Sequence, residues 1–256
     1  MIKKTLSACL FVVVINCLYA ERYVGLMYHE IDIVGNDLIY SVLDTSILGL
    51  KEKFVLKKTE DIFGFALYED DKSKMLALMS DLFLFTFDAQ KTFFYGSRFP
   101  EKFRNAGYYF RKFQSAKASS YYSEQLRGNV IEYSAENLLD YELLTPWVTN
   151  VEGGQGESLS LETPDVNFDA LLLINGFVSV EDPSLYEKNS RIKKCIIRYD
   201  DIEQEVEIKD TPRPQLINLQ KTTDSIEILV DEVYRGSMYS DLSVAGIFNV
   251  QTWLIP

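Results

Sequence analysis

The stretch SLSLETPDVNFDALLLING, residues 158–176, holds two kinds of β-strand side by side. Ser158-Leu159-Ser160-Leu161-Glu162 alternates strictly, which on a pleated ribbon places Leu159 and Leu161 on one face and the polar residues on the other. That is a half-buried strand. Leu171-Leu172-Leu173-Ile174 is instead a continuous apolar run ended by Asn175-Gly176, as expected of a central strand covered on both faces and then turned sharply. Reading outward, Glu205-Val206-Glu207-Ile208-Lys209 alternates again, and Ile226, Ile228 and Val230 mark a further strand before Tyr234-Arg235-Gly236. The Gly-rich residues 152–157, Glu181-Asp182-Pro183 and Thr211-Pro212-Arg213-Pro214 between these runs are loop chemistry. Count and spacing fit a β-sandwich jelly roll over about residues 121–256.

Residues 21–114 read as short aromatic strands with turns about every 10 residues, a spacing that favours antiparallel β structure over βαβ units. Phe83, Phe85 and Phe87 alternate with Leu82, Leu84 and Thr86, so this strand is apolar on both sides, as in a sheet covered by a second layer. Val55, Phe63, Phe65 and Leu67 extend the pattern. Met75, Leu78 and Met79 fall at helical spacing, which leaves 73–79 open between strand and helix. Tyr108, Tyr109 and Phe110 stand beside Arg104, Arg111 and Lys112, and the small polar residues 115–120 that follow read as a linker. The expected fold is therefore all-β: a carboxyl-terminal β-sandwich jelly roll preceded by a smaller antiparallel β domain.

At the amino terminus, Lys3 and Lys4 precede an apolar core from Leu6 to Leu18, the pattern of a secretory signal peptide over residues 1–20 with cleavage after Ala20. The run is shorter than the roughly 20 residues a transmembrane span needs. Val14-Ile15-Asn16-Cys17 offers the alternative of a bacterial lipobox, with Cys17 as the lipidation site. Either route delivers an exported protein, periplasmic, envelope-bound or secreted.

The chain has 256 residues, with 26 Lys and Arg against 38 Asp and Glu, a formal charge of -12. Such an acidic balance excludes a protein that grips nucleic acid by neutralising phosphates. Three Cys and one His are too few for a disulfide framework or a Cys/His zinc site.

The block Tyr133-Ser134-Ala135-Glu136-Asn137-Leu138-Leu139-Asp140, then Pro146-Trp147-Val148, then Gly153-Gly154-Gln155-Gly156-Glu157 resembles the opening of a discoidin-like domain, specifically the NADase-type glycan-binding domain. Residues 174–177, Leu185-Tyr186, 189–193, 233–236 and 239–241 follow in register. The resemblance covers about residues 121–250 and implies a galactose-binding-like jelly roll that recognises a glycan or surface without chemistry of its own. Aromatic rings stack on the apolar faces of sugars, while amides and guanidinium groups pair with hydroxyls. On that basis Tyr141, Trp147, Tyr186, Asn189 and Arg191 are the ligand-binding candidates. The resemblance also raises a structural calcium, with Asp140 and Thr145 as oxygen ligands, although Tyr141-Glu142-Leu143-Leu144 lacks the Gly and Asp that usually follow.

Catalytic constellations are weak. His29 is the only imidazole, and no G-x-S-x-G elbow accompanies it. Cys195 reads as a buried, inert thiol in a strand. The expected function is thus non-catalytic recognition of a glycan or envelope ligand. The alternatives are an adhesive envelope protein with a protein partner, or a small enzyme in residues 21–114 that uses the jelly roll for targeting.

Overall fold

The computed structural model describes residues 21–25, 29–44, 49–70, 74–88, 92–97, 106–126 and 128–254. The leader with Cys17 lies outside them, as does the side chain of His29. Eight strands occupy the first part: β1 (Glu21–Gly25), β2 (His29–Val34), β3 (Asp37–Asp44), β4 (Gly49–Ile62), β5 (Phe65–Glu69), β6 (Lys74–Met79), β7 (Phe83–Phe87) and β8 (Thr92–Ser97). Each pairs antiparallel with the next, and β8 returns to β1 through Val24 opposite Ser97 and Gly25 opposite Gly96, closing a barrel. Closure removes the two open edges that a sheet of this size would otherwise present. The stretch left open between helix and strand resolves as β6, because Met75 and Ala77 turn into the barrel while Leu76 and Leu78 turn out of it.

The second part is the sandwich. Its strands are β9 (Ala106–Arg111), β10 (Ser115–Ala118), β11 (Tyr122–Leu126), β12 (Asn129–Tyr133), β13 (Trp147–Val148), β14 (Ser158–Glu162), β15 (Phe168–Asn175), β16 (Arg191–Tyr199), β17 (Ile202–Glu207), β18 (Gln215–Thr223), β19 (Ser225–Tyr234) and β20 (Ser243–Leu254). One sheet runs β10-β14-β19-β16-β17. The other runs β13-β20-β15-β18, with β9 also paired to β20. Between them lies a core that includes Trp147, Leu159, Leu161, Leu171, Leu173, Ile197 and Ile228. The alternating strand read in the sequence is β14, and the continuous run is β15.

One expectation is corrected here. Residues 115–120 are not a connection: Ser115–Ala118 form β10, in register with Leu159–Glu162 of β14. Small residues suit this position because Ala116 is buried at the sheet's edge, where a larger side chain would collide with the core. β9 likewise belongs to the sandwich, since Phe110 sits opposite Val250 of β20.

The second layer over β7 is the sandwich itself. Phe65, Leu67, Leu76, Leu78, Phe83, Phe85 and Phe87 point out of the barrel and pack against Phe110, Leu172, Ile174, Tyr186 and Phe248. Phe85 stacks on Phe248 at 5.6 Å, and Phe83 meets Phe110 edge-on at the same distance. The alternate residues Ala66, Tyr68, Met75, Ala77 and Leu84 face into the barrel with Tyr23, Ile31, Leu38 and Leu56. Burying one such phenylalanine contributes about 1.5–3 kcal/mol, so this contact is part of the fold rather than a loose docking of two bodies. It also explains β15: Leu171 and Leu173 face the sandwich core, while Ala170, Leu172 and Ile174 face the barrel.

A type I′-like turn seals one end of the contact. Phe63 and Gly64 both have positive φ (49° and 91°), as a two-residue hairpin between β4 and β5 requires. A Cβ on Gly64 would lie 3.0 Å from Pro212 Cδ, so the barrel approaches the 209–215 loop as closely as a bare backbone allows.

Candidate functional site

Four of the five ligand candidates are interior residues. Trp147 is 0% exposed, and its indole N–H donates to the Ser120 carbonyl at 3.0 Å, so both its apolar body and its polar tip are already used. The buried Tyr186 and Arg191 form a knot with the exposed carboxylate of Asp210. Arg191 Nε and Nη2 donate to the two Asp210 oxygens at 2.9 Å each, Nη1 donates to the carbonyls of Tyr186, Glu187 and Asn189, and the Tyr186 hydroxyl donates to Asp210 at 2.8 Å. The guanidinium lies 4.9 Å from the Tyr186 ring centre. Burial alone would raise the Asp210 carboxyl, but the hydrogen bonds from Arg191 and Tyr186 outweigh it and hold the group below the usual carboxylate range. Burial and the Asp210 charge push the Tyr186 phenol up. Asn189 closes the short helix α1 (Leu185–Lys188), its amide donating to the Leu185 carbonyl at 2.9 Å.

This knot is structural, and it explains Asn175-Gly176. Gly176 has φ of 87°, and a Cβ there would stand 2.7 Å from the Tyr186 ring. The preceding Asn175 is fully buried and bridges the two sheets, giving its amide to the Ile192 carbonyl and accepting the Ile192 N–H.

Asp140 and Thr145, the oxygen ligands the resemblance raised for calcium, lie on the surface. Asp140 Oδ1 already accepts the Glu142 N–H at 2.7 Å, and burial raises the carboxyl against the lowering pull of that N–H and of Lys112. No group of three or more His, Cys, Asp or Glu that could hold a metal occurs among the described residues. Cys195 is buried at 2% exposure, which pushes its thiol up to about 12 and leaves it without thiolate character.

Tyr141 is the candidate that reaches solvent. It is half-buried, stacked on Phe248 at 5.5 Å, and it lines an open groove of about 580 Å³ with Tyr109, Arg111, Lys112, Phe113, Gln114, Leu139, Thr163 and Val166. Three connections converge there at one end of the sandwich: the β9–β10 link, the chain after the 3-10 turn Ala135–Leu139, and the β14–β15 loop. Arg111 lies over the Tyr109 ring at 4.5 Å. Tyr109, Arg111, Lys112 and Thr163 were not among the sequence candidates. The aromatic and basic run at 104–112 was visible, but only the pairing of β9 with β20 brings Tyr109, Arg111 and Lys112 to this end.

A second groove, of about 760 Å³, runs between the barrel turn at 79–83 and strands β17 and β18. Its charges are mixed, with Asp81, Glu205 and Glu207 facing Lys209 and Arg213. No helix among the described residues is long and apolar enough to cross a membrane.

Two facing antiparallel sheets over one core, with loops converging at one end, make a β-sandwich of the discoidin type. The chain belongs to the family described as NAD glycohydrolase translocation F5/8 type C domain, which matches residues 108–249. No curated protein matches. Among solved structures, the arabinofuranosyltransferase AftD from Mycobacteria is similar at 14% identity and TM-score 0.40 over 58% of this chain and 12% of that one. A family 32 carbohydrate-binding module of Clostridium perfringens NanJ, in complex with galactose, is similar at 16% identity and TM-score 0.39 over 54% of this chain and 93% of that one. Two such modules from C. perfringens ZmpB, in complex with GalNAc, reach 12% identity and TM-score 0.39 over 57% of this chain and 33% of theirs. The chain thus spans about an eighth of the transferase.

Proposed function

We propose that this is an exported, non-catalytic recognition protein whose sandwich binds a glycan of the cell envelope in the groove at its end. Family membership supports the class. The observation that carries the site is the groove that pairs Tyr109 and Tyr141 with Arg111, Lys112, Gln114 and Thr163. Rings of this kind offer faces for sugar CH groups, and the amide, hydroxyl and cations offer partners for its oxygens. Tyr141 rests on Phe248, so one ring face is fixed by the shared core and the ring's position is set before a ligand arrives. Export follows from the leader, and Cys17 supplies the alternative of a lipid anchor.

The test is a glycan array probed with the whole exported chain, because a sandwich cut free of the barrel would expose Leu172 and Ile174 of β15 and Phe248 of β20. Saccharide-selective binding that Tyr141→Ala weakens about tenfold or more, with an unchanged thermal midpoint, supports the reading. Binding that persists in Tyr141→Ala moves the site elsewhere. A protein pulled down equally well under excess saccharide would favour the adhesive alternative.

A further inference from the structure

The wall of the sandwich-end groove contains no Asp or Glu, in a chain where acidic residues outnumber basic ones 38 to 26. Its charged members are Arg111 and Lys112, both exposed. Several cations elsewhere in the sandwich are neutralised, Lys193 by Glu232 at 2.5 Å, Lys194 by Glu205 at 2.9 Å and Arg198 by Glu203 at 2.8 Å, while Lys117, Lys209, Arg213 and Arg235 are in no ion pair among the described residues but do not line this groove. Arg111 and Lys112 stand outside every ion pair among the described residues. Four carboxylates neighbour the lining in sequence, Asp140, Glu142, Glu162 and Asp165, but none lines it; Asp140 accepts the Glu142 N–H and feels the charge of Lys112.

Resting on the glycan reading above, we infer that the groove selects a saccharide bearing an anionic substituent, a carboxylate or a sulfate. A neutral sugar would strip water from two cations and return only hydroxyl contacts. An anionic group returns charge-assisted hydrogen bonds, and the planar guanidinium of Arg111 presents a fork that matches a carboxylate or sulfate edge. The Tyr109 ring beneath that guanidinium limits its rotation, so less freedom is lost on binding. The rings then take the apolar face of the sugar while the cations take its charge. The second groove lacks this selectivity, since an anion there meets Asp81, Glu205 and Glu207 as well as Lys209 and Arg213.

The experiment titrates the whole exported chain by calorimetry with two matched pairs: oligogalacturonate against its methyl ester, and a sulfated galactan against its desulfated form. The double variant Arg111→Gln/Lys112→Gln is run alongside. Both side chains are exposed, so circular dichroism and the thermal midpoint should match the parent and show that the fold is intact. The inference expects at least one charged member to bind, its neutral counterpart to bind about tenfold or more weakly, the double variant to erase that difference, and added salt to weaken the charged arm. The pair that discriminates identifies carboxylate or sulfate. Equal binding of charged and neutral members, unaltered in the double variant, overturns the inference and leaves the glycan reading standing. Absence of binding to any of the four saccharides, followed by an empty glycan array, overturns both.

Discussion

The two faces of β7 are both closed to water, yet they belong to different cores. Leu84 faces a barrel interior it shares with Tyr23, Tyr68, Met75 and Ala77, whereas Phe83, Phe85 and Phe87 face the sandwich. The inner core holds a barrel together; the outer one makes barrel and sandwich a single packed object. A strand apolar on both sides therefore need not sit at the centre of one domain. It can be the place where two domains become one.

The largest expected effect breaks that second core. Phe85→Ala removes a ring that is 0% exposed and stacked on Phe248, a loss of about 3–5 kcal/mol. Both tryptophans, Trp147 and Trp253, lie in the sandwich half, so their fluorescence reports a substitution made in the barrel. Denaturant titration should show the tryptophan transition moving with the circular dichroism transition. An unmoved tryptophan midpoint would mean that the two halves unfold independently.

Next is the knot beside the shared core. Asp210→Ala leaves Arg191 buried with only its carbonyl partners, at a cost of about 1–3 kcal/mol in chemical denaturation. Asp210 is held below its usual value in the folded state, so its contribution is present above the unfolded value and is lost as pH falls through the folded one. Parent stability should thus decline on the acid side more steeply than that of Asp210→Asn.

A smaller effect separates structure from recognition. Trp147→Phe leaves the Ser120 carbonyl without its donor and should cost about 1–3 kcal/mol, with saccharide affinity unchanged. A loss of affinity at equal stability would return Trp147 to the site. Smallest of all, Lys193→Ala removes an exposed ion pair with Glu232, and the thermal midpoint should stay within experimental scatter.

Periodicity made the strands legible, because alternation at Leu159 and Leu161 and continuity at 171–174 are local signals. The double burial of β7 was legible too, although its covering layer was not. What periodicity lacked was pairing over long distance. β9 meets β20 across most of the sandwich, so Tyr109, Arg111 and Lys112 read as the tail of the first half when they form a wall of the second half's groove. The burial of four site candidates has a related cause. Trp147, Tyr186, Asn189 and Arg191 have side chains that suit a sugar, but the same hydrogen-bonding capacity serves buried turns, and only the positions of Ser120 and Asp210 decide between the two uses.

The shared core also sets an order of events during synthesis. The barrel strands leave the ribosome first, and the phenylalanine face of β7, met in turn by Phe110, Leu172 and Ile174, is not fully covered until β20, the last of the described strands, supplies Phe248 and Val250. Until then the nascent chain carries a broad apolar surface of the kind that aggregates or recruits holding chaperones. The packing of the two halves is therefore completed late in synthesis, and a pause before β20 would prolong the life of this surface.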